Sequence, residues 1–146
     1  MIRVFIATIV FSFIASLAHA QNADAIKKRQ ETFKGILPDL KVGKQMLTGK
    51  TPFDAEAAKK VFATYAAAAK TLKDLFPDDS KSGAKTRALP AIWENKSDFE
   101  AKLTKFESDA TDALGSITDL ASFKSAWGKV MSNCGGCHKP YRAKKE

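Results

Sequence analysis

Four stretches of the chain place apolar residues at helical spacing, and no stretch of useful length alternates with the period of two that a half-buried strand requires. In the first, from Ala23 to about Leu47, the residues Ile26, Phe33, Leu37, Leu40 and Leu47 share one helical face. Pro38 interrupts it and removes the bond to the carbonyl of Lys34, so a kink is expected there. The second opens at Asp54 as N-cap, carries Val61, Tyr65, Ala68, Leu72 and Leu75, and ends before Pro77. A polar stretch from Pro77 to Pro90 has no periodicity and reads as a loop. The third begins with Ser97 as N-cap and Glu100 as its capping-box partner, followed by Phe99, Leu103, Phe106, Ala110 and Ala113. The fourth, capped by Asp119, sets Leu120, Phe123, Trp127, Val130, Cys134, Cys137 and His138 along one face.

Four amphipathic helices joined by loops bury their apolar stripes by sharing one core, which predicts an all-α, antiparallel four-helix bundle. The Ala66–Ala69 run would let another helix approach closely and is a possible dimer seam; high helix propensity explains it equally well.

With 146 residues, 45% hydrophobic and 27% charged, the chain has room for one domain and too much apolar content for global disorder. Its first residues have their own logic. Arg3 precedes an uncharged apolar segment from Val4 to Leu17, which ends in Ala18-His19-Ala20, the layout of a secretory signal peptide. Residues 1–20 are expected to be cleaved, leaving a single domain at 21–146 that is exported to the periplasm and has no membrane span. Cleavage also removes one of the two histidines, so His138 is the one that remains. The net charge of +8 is spread along the chain and selects no partner by itself; in an exported protein nucleic acid is not expected.

The chemistry concentrates in Cys134-Gly135-Gly136-Cys137-His138, the spacing of a c-type haem attachment. On a helix the two thiols and the imidazole at i, i+3 and i+4 project from one face. Thioether bonds from Cys134 and Cys137 would hold one haem c by its edge while His138 meets the iron. Gly135 and Gly136 leave no side chain between the anchors, so the macrocycle could lie against the backbone. Three other uses of these residues are weaker. A disulfide across two intervening residues contributes little and leaves His138 unexplained. A thioredoxin-like pair belongs after a strand in a βαβ unit. Zinc wants four Cys or His ligands, and the mature chain has three. For the other face of the iron the sequence offers Met46, Met131, a lysine, or nothing; Met131 stands on the haem helix itself and is badly placed to reach round.

The leader, the four helices and the C-terminal Cys-x-x-Cys-His-x-x-Tyr-Arg together resemble the class II c-type cytochromes, in particular the cytochrome c prime and c-556-like branch. The similarity spans the mature chain and includes Arg29-Gln30 ahead of Phe33, Gly49-Lys-Thr-Pro-Phe-Asp54, and Leu89-Pro-Ala-Ile-Trp-Glu94. The resemblance implies that Phe33 faces the distal side of the iron. There a methionine would give a six-coordinate, low-spin electron carrier, whereas an apolar side chain leaves the iron five-coordinate. It also implies that Arg29 and Gln30 lie near the haem propionates, that Arg142 stands beside the proximal histidine, and that the protein is a homodimer. The expected function is single-electron transfer with periplasmic redox partners, binding of a small gas such as nitric oxide, or both. An apolar distal pocket without a hydrogen-bond donor would favour nitric oxide and carbon monoxide over dioxygen. The alternative is a six-coordinate electron carrier with a Met or Lys sixth ligand. Peroxidase-like enzyme chemistry is not expected, because no second histidine remains to act as a distal acid or base.

Overall fold

The computed structural model describes residues 23–144, so the expected leader lies outside the described residues. The first apolar stretch folds as two helices: α1 (residues 23–35) gives way at Ile36 to α2 (Leu37–Leu47). Pro38 sits in the first turn of α2, where an amide would have no intrahelical partner, so the break costs little. Next, α3 (Ala55–Leu72) starts where expected, with the Asp54 carboxylate accepting from the Ala57 amide at 2.7 Å. It stops short of Pro77. The amides of Lys73, Asp74 and Leu75 turn back to the carbonyls three residues earlier, which tightens and ends the helix.

The third helix corrects the sequence reading. A short helix, α4 (Ala91–Glu94), leads through Asn95 into α5 (Lys96–Ser116), so Ser97 lies inside the first turn and no Ser97–Glu100 box forms. Asn95 is the N-cap, and its carbonyl accepts from the Phe99 amide at 3.0 Å. The last helix, α6 (Leu120–Tyr141), is capped by Asp119 as expected; Ser122 closes the box by taking the Asp119 amide at 3.0 Å.

These helices form the expected antiparallel four-helix bundle, with α1 and α2 as its first arm. Its apolar interior has two centres. Phe62, Tyr65, Phe106, Phe123 and Val130 gather where α3, α5 and α6 meet. Toward the other end, Leu72, Phe76, Ile92, Phe99, Leu103 and Tyr141 form the second. Ala68 and Ala69 are buried in the α3 face, so half of the alanine run is spent inside the monomer rather than on a seam.

Two tertiary contacts fix how close the helices come. Gly43 of α2 lies against the Trp127 indole of α6, so closely that a Cβ there would overlap the ring. Between α5 and α6, buried Asp109 accepts from Lys105 at 2.6 Å, Asn133 at 2.8 Å and Lys129 at 3.1 Å. Burial alone would raise the Asp109 pKa, but the bonds from Asn133, Lys105 and Lys129 outweigh it and hold the carboxyl at about 2.

Candidate cofactor site

Between the two apolar centres opens a cavity of about 890 Å³, within the range of small-molecule and cofactor pockets. Phe33, Ile36, Leu37, Phe76, Phe99 and Trp127 contribute much of its apolar wall. Both centres supply lining residues, Tyr65 and Phe106 from one and Phe76, Ile92, Phe99 and Tyr141 from the other.

One wall belongs to α6. Because the helix runs unbroken through Pro140, Cys134, Cys137 and His138 keep helical spacing and all three line the cavity, half-buried. The two thiols are not joined to each other. Burial pushes the Cys134 thiol above its ordinary value and the Cys137 thiol up to about 11. Burial, with the nearby Arg142 and Arg87, pushes His138 the other way. Its imidazole is therefore held neutral, the form in which a ring nitrogen can ligate a metal. Gly135 and Gly136 do not serve as expected. They are exposed, because 100° of rotation per residue carries them off the face shared by Cys134 and Cys137.

The facing wall belongs to α1. Phe33 stands opposite His138, ring centroids 6.2 Å apart and planes inclined by 60°. Arg29, 3% exposed, also lines the cavity, and its role is larger than the sequence indicated. Its guanidinium donates to the Leu75 carbonyl, the Ser80 hydroxyl and carbonyl, and the Thr86 hydroxyl, at 3.0–3.4 Å. It also lies over the Phe76 and Trp93 rings, at 4.8 and 5.8 Å. All four hydrogen-bond acceptors are neutral, so a buried cation lines the cavity with no carboxylate paired to it among the described residues. Gln30 donates its side-chain amide to the Lys85 carbonyl at 2.7 Å.

Arg142 follows the last residue of α6, with Nη1 3.4 Å from His138 Nε2. Its backbone pairs in antiparallel fashion with Ala88, and the Arg87 guanidinium grips the Ala143 carbonyl at 2.6 Å. Tyr141, the residue before Arg142 and the last of α6, donates to Asp98. Met46 is packed into the first apolar centre and is not among the residues lining the cavity, whereas Met131, Lys34 and Lys44 are. Sequence reasoning passed over Tyr65, which lines the cavity with its hydroxyl buried and unpartnered. Its signal was a tyrosine on an apolar helical face where phenylalanine would fill the same space.

A flat apolar ring with anionic ends and a central metal fits this setting. It would meet aromatic walls, a buried uncompensated cation, a neutral imidazole and two thiols at thioether spacing. A helical bundle whose last helix presents Cys-x-x-Cys-His to such a cavity is a c-type cytochrome fold. The chain belongs to the cytochrome c' family, whose model matches residues 24–142. It is 41% identical over 124 residues to a cytochrome c' of Rhodopseudomonas palustris, covering 85% of each chain. It is 38% identical over 124 residues to a cytochrome c-556 of Agrobacterium fabrum, covering 84% of each. Among solved structures, the cytochrome c' from Rhodopseudomonas palustris superimposes with a TM-score of 0.81 at 41% identity, covering 84% of this chain and 98% of that one. The cofactor is covalently bound haem c, and Cys134 and Cys137 fit the motif that carries it.

Proposed function

We propose that this chain is a periplasmic haem c protein with a five-coordinate iron that carries single electrons and binds a small gas such as nitric oxide. In this reading Cys134 and Cys137 form the thioethers and His138 is the axial ligand, with Phe33 guarding the opposite face. The observation that carries it is Phe33 itself: the side chain nearest the His138 ring from α1, 6.2 Å between centroids, has no lone pair to donate. When bound, the haem supplies an iron that changes by one electron and takes a diatomic ligand on its free face. The protein's part is to exclude water with the buried Phe76 and Phe99, and to hold the imidazole neutral and oriented. Arg29 would compensate a propionate with its buried charge, Gln30 standing beside it, while Arg142 restrains His138 from the far end of α6.

The periplasmic assignment rests on the leader pattern of residues 1–20. Among the described residues no helix is long and apolar enough to cross a membrane. As a homodimer, the protein would bury Leu37 and Val42, both exposed on α2. Basic side chains at the cavity, Lys34, Lys44, Lys85 and Arg87 among them, suit an acidic redox partner.

The test is optical, on the mature holoprotein. Ferric and dithionite-reduced spectra should be high-spin, and carbon monoxide should shift the reduced spectrum; a low-spin spectrum unmoved by carbon monoxide overturns the open-site reading. Phe33→Met should convert the spectrum toward low spin and abolish the carbon monoxide response.

A further inference from the structure

The Tyr65 hydroxyl is the one buried side-chain polar atom among the described residues that has no hydrogen-bond partner. The residue is 1% exposed and sits midway along α3, its ring edge-on to Phe62 and inclined against Phe106. Those contacts are apolar, and phenylalanine would make them equally well. A hydroxyl enclosed this way gives up its bonds to water, so its retention calls for an acceptor. The aromatic rings offer none, and Tyr65 is also one of the residues lining the cavity, together with Cys134 and Met131.

We propose that Tyr65 is a hydrogen-bond donor to a small, negatively polarised molecule held in the haem cavity: the outer atom of an iron-bound diatomic, or a resident water. The diatomic arm rests on the open-site reading above. It also changes the expected gas preference, because a phenol donor stabilises the ligand that carries most negative charge when bound. The cavity is then not the donor-free pocket that its apolar residues imply.

The test compares the wild-type holoprotein with Tyr65→Phe, which removes one oxygen and keeps every apolar contact. The infrared C–O stretch of the reduced carbon monoxide adduct is recorded in H2O and D2O, and the thermal midpoint of the ferric protein is measured without gas. If the acceptor is the bound diatomic, the stretch moves to higher frequency in Tyr65→Phe and the wild-type solvent-isotope shift disappears. If it is a resident water, the stretch is common to both proteins and the Tyr65→Phe midpoint falls. A common stretch with an equal or higher midpoint in Tyr65→Phe overturns the proposal. Absence of any carbon monoxide band overturns the open-site reading instead, and the midpoint then decides for Tyr65 alone: a fall supports the donor, and no fall overturns it.

Discussion

From Leu120 to Val130, α6 is held by other side chains. Phe123 and Val130 are fully buried, Phe123 is clasped by Phe53, Phe62 and Trp127, and the N-terminus is closed by a capping box. From Met131 to Tyr141 the same helix borders a cavity. Its functional side chains are half-buried, two glycines face outward and a proline removes an amide from the last turn. Intrinsic propensity is poor in this second half and the packing is one-sided. The pair shows a helix whose first half the polypeptide completes by itself and whose second half is shaped for the prosthetic group.

The sharpest way to break that contrast is to remove the anchors. Cys134→Ala with Cys137→Ala should abolish covalent haem, seen as loss of colour after extraction with acidified organic solvent. Hydrogen exchange should speed up from Met131 onward while protection around Phe123 is largely kept; equal loss along α6 would refute the division. Phe123→Ala should cost about 3–5 kcal/mol, read from the urea midpoint, and should loosen both halves because the first supports the second. Gly43→Ala should cost about 1–3 kcal/mol, since the new methyl has to displace the Trp127 indole. That indole also lines the cavity, so the Soret band should shift with it.

The smallest effect belongs to Asp109→Asn, which weakens the tie between α5 and Asn133 by about 1–2 kcal/mol at neutral pH. Because the folded-state pKa of Asp109 is depressed to about 2 from 3.8, its contribution is complete above pH 4 and is lost as pH falls toward 2. Urea midpoints of wild type and Asp109→Asn measured down through that window should therefore converge.

What the sequence revealed and what it hid divide along a physical line. The helices were legible because burial imposes a period, and Cys134, Cys137 and His138 because thioether chemistry imposes a spacing. Asp54 and Asp119 were legible as caps because capping is local. Ser97 misled because α4 and Asn95, immediately upstream, had already started the helix. The hold of Arg29 on Ser80, 51 residues away, left no local trace, and neither did the match of Gly43 to Trp127. Tyr65 reads as a core residue in any periodic pattern; its unpaired oxygen becomes visible only once its neighbours are known.

The stretch from Ser80 to Leu89 is stitched at both ends, to α1 by Arg29 and to the end of α6 by the Ala88–Arg142 pairing and the Leu89–Tyr141 and Arg87–Ala143 bonds. It is a clasp joining the two helices that face each other across the cavity. The second stitch closes 56 residues of sequence, and its entropic cost is smaller once the α5–α6 hairpin has brought its ends together. The clasp therefore ties the helix that carries Phe33 to the end of the helix that carries Cys134, Cys137 and His138 through bonds made by a loop rather than by either helix.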